Sequence, residues 1–329
     1  MSNNREKLIK ALIGVIISFS ALSVLGIISA ALLIPNIQGL DALIKKPEAA
    51  KTENADTDKP EQTNDGGAGK EDISISGIYT DEMIEQYTTG VLITVQNRPV
   101  SENASLDMAY IISFDDMAQR LSVITLSEKL LLSGRSIAAI YKQDGIAKLL
   151  ASINKSFRLN IKYYVCADTA LLAMIIDKQG GVETTPDKQE AEYMSKAMNK
   201  TIEAKTAKLT GMESMVYALD PISGEYPLSM LKRRAGLVKS AVLNMRKSIS
   251  KKTAIAFLSM VMTSAKTNMD ISALSDIGYA VLKADEMEYK SILMPAGAEA
   301  TVKADMTISI DAEKAAVLIN QSLYAANGE

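Results

Sequence analysis

The chain has 329 residues, a formal net charge of −3, no histidine, no tryptophan and a single cysteine. Without histidine, Ser-His-Asp and Cys-His catalysis are excluded, along with the zinc sites that use an imidazole. Cys166 alone cannot form an internal disulfide. Hydrophobic residues make up 47% of the chain but aromatics only 5%, so the core must be built from Ala, Leu, Ile, Val and the 17 Met. The length allows one large domain or two small ones.

In chain order, residues 1–10 carry Arg5, Lys7 and Lys10 and precede an uncharged apolar run, "ALIGVIISFSALSVLGIISAALLI" (residues 11–34). About 20 apolar residues cross the hydrocarbon core as a helix, so this run predicts a transmembrane segment. The basic residues before it predict a cytoplasmic N-terminus and an extracytoplasmic remainder. The alternative is a cleaved signal peptide, whose apolar region is typically about 7–15 residues and ends at a small-x-small site. The run is longer than that, and "SAALLIP" is a poor cleavage site. An uncleaved, single-pass anchor in the cell membrane is the expectation. Residues 35–74 include "KKPEAAKTENADTDKPEQTNDGGAGKED", polar and charged with no aromatic. Such a segment buries too little apolar surface to offset ordering entropy, which predicts a disordered extracytoplasmic stalk.

Residues 75–329 read as globular. Strands are predicted at "GVLITVQ" (90–96), "MAYIISF" (108–114), "RLSVITL" (120–126) and "IKYYVCA" (161–167), each rich in Val, Ile or Tyr. Cys166 lies in the last of these and reads as a small core residue. Apolar residues at 146, 149, 150 and 153 have the spacing of an amphipathic helix. A second helix starts at Asp168, an N-cap residue, and stops at Gly180-Gly181. A phosphate-binding loop runs strand, glycines, helix; here the order is helix, glycines, strand, so the pair predicts a helix stop. Further helices are predicted at 211–219, 227–247, 250–265 and 270–284, then a strand "TISI" and a helix from Asp311 to about Tyr324. Strands interleaved with helices predict an α/β domain with a central, mostly covered β-sheet flanked by helices.

Three patterns remain. The carboxylate pairs Asp115-Asp116 and Asp285-Glu286 read as turn chemistry, because neighbours on a strand point to opposite faces. The basic helix "LKRRAGLVKSAVLNMRKSISKK" reads as a solvated face able to meet phosphate, headgroup or anionic wall polymer. No nucleic-acid partner is expected, since it lacks an aromatic platform and the topology denies access. The methionines, among them Met174, Met212, Met215, Met260 and Met262, read as adaptable core, with lipid lining as the alternative.

The segments "GVLITVQNRP", "LDMAYIISFD", "LSVITLSEK", "IAAIYKQDGIAKLLASINKSFRLNIKYYVCADTALLAMIIDKQGGVETT" and "LTGMESMVYAL" follow one another in an order that resembles the LytR–CpsA–Psr family. The likeness covers roughly Gly90 to Asn244, with a weaker echo at "SILMPAGAEA". It implies one N-terminal span and an extracytoplasmic α/β domain. It also implies transfer of a glycopolymer from a polyprenyl-pyrophosphate carrier to peptidoglycan. An apolar pocket would hold the lipid, arginines the pyrophosphate, and paired aspartates a Mg2+ ion.

Position by position, the resemblance implies a divergent site. In Thr94-Val95-Gln96-Asn97-Arg98, Arg98 matches a family arginine, but Gln96 stands where a metal-ligand aspartate is expected. Asp107 is retained within Leu106-Asp107-Met108, and would be the remaining, weak metal ligand. Glu128 stands at a clamp arginine position, a reversal of charge. At a Tyr-x-Arg-x-Arg motif the chain reads Tyr217-Ala218-Leu219-Asp220-Pro221, so Leu219 replaces an arginine. Arg233 and Arg234 lie near the last basic motif in a register the sequence leaves open, and Arg135 could add a further ligand contact. The expectation is a member degenerate at the pyrophosphate site, binding lipid-linked or wall glycopolymer or a partner. The alternative is an active phosphotransferase with a relocated site built from Arg98, Asp107, Arg135 and Arg233 or Arg234, with Mg2+.

Overall fold

The computed structural model describes residues 80–96, 105–220, 222, 227–248, 251–284, 286–295 and 300–324. The expected span at 11–34, the stalk at 35–74 and Arg98 lie outside the described residues. Among the described residues no helix is long and apolar enough to cross a membrane.

The elements in chain order begin with α1 (Asp81–Tyr87), β1 (Thr88–Gln96), β2 (Leu106–Asp115), β3 (Arg120–Leu126), a short hairpin of β4 (Leu131–Leu132) and β5 (Arg135–Ser136), and α2 (Ile137–Phe157). Then come β6 (Tyr163–Asp168), α3 (Thr169–Lys178), β7 (Val182–Thr184), α4 (Lys188–Met198), β8 (Ala207–Leu209) and α5 (Gly211–Leu219). The last part holds α6 (Pro227–Ser248), α7 (Lys251–Ser264), β9 (Lys266–Thr267), α8 (Ile271–Lys283), β10 (Glu288–Met294), β11 (Thr301–Val302), β12 (Ile308–Ser309) and α9 (Ala312–Tyr324).

The main sheet has the strand order β10-β3-β2-β1-β6-β9. β1 runs antiparallel to β2 and parallel to β6, β2 antiparallel to β3, and β3 parallel to β10. The carboxyl ends of β1, β3, β6 and β10 therefore share one edge with the amino end of β2. Side chains alternate between faces along a strand. Leu92, Ala109, Ile111 and Ile124 pack against α2 and α9. Val95, Met108, Tyr110 and Val123 pack with residues of α3, α5 and α6 on the other face. Every residue of β3 is buried, as expected of a strand covered on both faces.

The predicted strands and helices sit where their patterns place them. The glycine pair is a helix stop. Gly180 and Gly181 have φ of +80° and +92°, and their N–H groups donate back to the carbonyls of Asp177 and Ile176, each at 2.9 Å. Positive φ suits glycine, and a Cβ on Gly181 would lie 2.6 Å from the Leu209 carbonyl oxygen. Asp115 is turn and anchor: its Oδ1 accepts from the N–H of Met117 and Ala118, and its Oδ2 from Arg120 at 3.1 Å. Asp285 lies outside the described residues. Of the methionines, Met215 is core, whereas Met174, Met212 and Met262 are exposed.

Among the elements that escaped the pattern reading are β10 and α4. β10, "EYKSILM", pairs with β3 in parallel through a mixed polar and apolar sequence, because it lies outermost in the sheet. α4 is marked by a capping box, with Asp187 and Glu190 each bonding the other's backbone N–H.

Two glycines separate steric from entropic effects. A Cβ on Gly211 would meet the Ala173 carbonyl oxygen at 2.1 Å, where α5 crosses α3, whereas one on Gly236 would meet nothing within 4 Å. Urea denaturation is expected to show Gly211→Ala destabilised by about 1–3 kcal/mol. Gly236→Ala, in an exposed helix interior, is expected to gain about 0.5–1 kcal/mol. The Cys166 thiol is buried, and burial pushes its pKa up. It should react with a thiol reagent only after unfolding; rapid reaction of the native chain would contradict this packing.

Candidate functional site

On the α3–α6–α8 side of the sheet lies an apolar cavity of about 200 Å³. Its floor is Val91, Ile93 and Val95 of β1 with Tyr110, Ile112 and Phe114 of β2. These residues alternate along each strand, so one face of two neighbouring strands is left apolar. The roof includes Leu237, Val238, Ala241, Val242 and Met245 of α6, together with residues of α7 and α8. Those α6 positions have the three- and four-residue spacing that keeps a helical stripe on one side.

Arg234 continues the same stripe one turn earlier. It is only 4% exposed. Its Nη1 donates to Glu128 Oε2 at 2.5 Å, its Nε to the Ala218 carbonyl at 3.1 Å, and its Nη2 contacts Met230 Sδ at 2.9 Å. Glu128 comes two residues after β3, at the edge where the parallel strands end. Tyr110, on the cavity floor, feels both members of this pair. Burial pushes its phenol well above the ordinary value, while Arg234 draws it down and Glu128 raises it, so both charges act on a ring that lines the cavity.

Arg233 is equally buried and faces α5. Its Nε donates to the Tyr217 carbonyl at 2.6 Å and its Nη2 to the Asp220 carbonyl at 2.9 Å. Its guanidinium stacks 5.6 Å from the Tyr217 ring centroid and lies 3.7 Å from Glu190 Oε1. The last carbonyls of a helix lack intrahelical partners. At the end of α5 the two arginines supply those partners and also complement the negative end of the helix dipole.

The remaining candidate residues are dispersed. Gln96 is buried at the end of β1, beside a register irregularity, and its Oε1 accepts from Tyr141 O–H of α2 at 2.9 Å. Asp107 is half-buried at the start of β2. Leu219 packs in the apolar cluster that contains Leu237 and Val238. Arg135 is exposed, and its guanidinium binds Asp144 at 2.7 Å and Gln143 at 2.9 Å. Its contacts are thus with α2, across the sheet from the cavity. Lys232, Lys239 and Lys247 form the exposed basic face of α6.

The model of the LytR_cpsA_psr family matches residues 115–322. The chain belongs to that family. Solved structures agree at the level of fold. Protein gbs0355 from Streptococcus agalactiae superposes with a TM-score of 0.61 and 14% identity, over 77% of this chain and 94% of that one. TagT bound to LI-WTA gives 0.58 and 11%, over 73% and 90%. The LytR-CPS2A-psr family protein YwtF (TagT) with bound octaprenyl pyrophosphate lipid gives 0.54 and 11%, over 72% and 91%. No curated protein sequence matches the chain.

Within the LytR_cpsA_psr fold, the edge formed by the carboxyl ends of parallel strands is where open α/β sheets place their ligands. Here that edge holds Gln96, Asp107, Glu128 and Arg234. The described donors there do not fit a magnesium ion. Mg2+ takes carboxylate oxygens in octahedral geometry, whereas Gln96 offers an amide oxygen already bonded to Tyr141. Among the described residues there is no group of three or more acidic, Cys or His side chains that could hold a metal.

The Arg234–Glu128 pair is testable through stability. Removing one member of a buried pair typically costs about 3–5 kcal/mol, because the other charge is left uncompensated. Arg234→Met should fall at the low end of that range, since the Glu128 side chain keeps 17% exposure. The double variant Glu128→Gln/Arg234→Met should lose clearly less than the two single variants summed, as read from denaturation midpoints in a double-mutant cycle.

Proposed function

We propose that this chain is a membrane-anchored, extracytoplasmic protein of the bacterial cell envelope that holds a polyprenyl chain in its sheet cavity and has lost pyrophosphate transfer. Its parts would be a cytoplasmic N-terminus at 1–10, a span at 11–34, a stalk at 35–74 and the ligand-binding domain at 75–329. The run at 11–34, with Arg5, Lys7 and Lys10 before it, supports the anchor. Membership of the LytR_cpsA_psr family and the octaprenyl pyrophosphate bound by YwtF support an isoprenoid ligand. The exposed lysines of α6 suit an anionic wall polymer or partner beside it, and nucleic acid has no role in this reading.

The observation that carries the loss of transfer is the commitment of the two buried arginines. Arg233 and Arg234 bond the carbonyls that end α5, and Arg234 also meets Glu128. A clamp for pyrophosphate needs guanidinium N–H groups directed at the ligand. With Gln96 bonded to Tyr141 and Arg135 bonded to α2, two further candidate positions are also held by internal partners.

The test uses the full-length chain in detergent. Labelled isoprenoid lipid should bind, and Val238→Trp, which fills the cavity roof, should weaken binding at least tenfold. Incubation with polyprenyl-pyrophosphate-linked glycopolymer, peptidoglycan and Mg2+ should give transfer at background. Magnesium-dependent transfer that Arg98→Ala and Asp107→Ala abolish would overturn the proposal and establish the relocated-site enzyme.

A further inference from the structure

The head end of the cavity has a definite electrostatic character. One wall there is Tyr110; one helical turn before the roof residues Leu237 and Val238 sits Arg234, 4% exposed, paired with Glu128, whose side chain is 17% exposed. All three nitrogens of the Arg234 guanidinium are engaged, by a carbonyl, a carboxylate and a thioether. The carboxylate of Glu128 therefore takes the place on Arg234 that an anionic head group would need. A phosphate entering here would meet a carboxylate in a partly desolvated setting, where like charges repel strongly. An uncharged hydroxyl would meet a neutral ion pair with a spare carboxylate oxygen able to accept its proton in a hydrogen bond.

We infer that the cavity selects isoprenoid chains whose polar end is uncharged, such as a free polyprenol, and that Glu128 is the specificity-determining residue that turns phosphorylated chains away. The inference rests on the isoprenoid reading of the cavity and adds the class of head group. The surrounding chemistry is consistent. Among the described residues, the groups near Arg234 at this end also include the Tyr110 O–H, which donates to Met108 Sδ at 3.1 Å, and the Ala218 carbonyl. Neither brings positive charge. Arg233 points to α5, and Arg135 binds Asp144 on the opposite side of the sheet.

The experiment compares farnesol with farnesyl pyrophosphate, both labelled, against the full-length chain in detergent without added divalent metal. The native chain should bind farnesol at least tenfold more tightly. Glu128→Gln removes the carboxylate charge and releases Arg234; it should tighten farnesyl pyrophosphate at least tenfold while changing farnesol less than about threefold. The native preference needs no variant and stands as a test even if Glu128→Gln misfolds. Equal or tighter binding of the pyrophosphate by the native chain overturns the inference while leaving the isoprenoid reading intact, as does a folded Glu128→Gln with an unchanged ratio. Failure of both lipids to bind, in the native chain and in Glu128→Gln, overturns the isoprenoid reading itself.

Discussion

The constraint on which the rest of the candidate site depends is the unfinished end of α5. A helix that stops inside a protein leaves carbonyls to be satisfied, and leaving them unpaired in a buried place costs about 1–3 kcal/mol each. Here the partners are Arg233 and Arg234, which bond the carbonyls of Tyr217, Ala218 and Asp220. Both guanidinium groups are thereby fixed in a nearly dry environment. Each positive charge then needs an anion, and the fold provides Glu190 near Arg233 and Glu128 beside Arg234. The choice of Glu128 as partner also joins the segment after β3 to α6, the helix whose next turns roof the apolar cavity.

Much of the architecture was legible in the sequence because it rests on local rules. After its buried Arg120, β3 is a run of apolar and small residues covered on both faces, and the alternation in β1 and β2 assigns one side chain set to α2 and the other to the cavity. Asp168 caps α3 through the Leu171 N–H at 2.8 Å, as its position before an apolar run implies. What escaped is non-local. β10 reads as a mixed segment because its identity as a strand comes from pairing with β3, far away in the chain. α2 begins well before the clear 3.6-residue pattern, since Gly145 adopts φ of +79° within it and interrupts the periodicity.

The site was legible in its residue types and not in its pairings. Sequence comparison by position marks Glu128 as a reversed charge, which in isolation reads as a loss. In the fold Glu128 is paired with Arg234, separated from it by about a hundred positions in sequence, a relation no spacing rule contains. Arg135 shows the converse. Its place after the third motif suggested a ligand contact, yet Asp144 and Gln143, less than three helical turns away, hold it beside α2. Gln96, read as a lost metal ligand, is instead half of a hydrogen bond with Tyr141.

These side chains make physical sense together more than singly. A site that lost only its arginine would leave neighbouring carboxylates facing one another, and a site that lost only its aspartate would leave cations unscreened; either state raises the cost of burial. In this chain the amide of Gln96 with the phenol of Tyr141, and the carboxylate of Glu128 with the guanidinium of Arg234, each close locally to zero net charge. Leu219 extends the same logic by placing an aliphatic chain in the cluster with Leu237 and Val238. The cavity has apolar walls, and the edge above it includes one neutralised pair, Glu128 with Arg234. Neutrality within that pair is a folded-state property maintained by its two members, so a group that meets it should be held by hydrogen-bonding geometry and apolar contact rather than by ionic attraction.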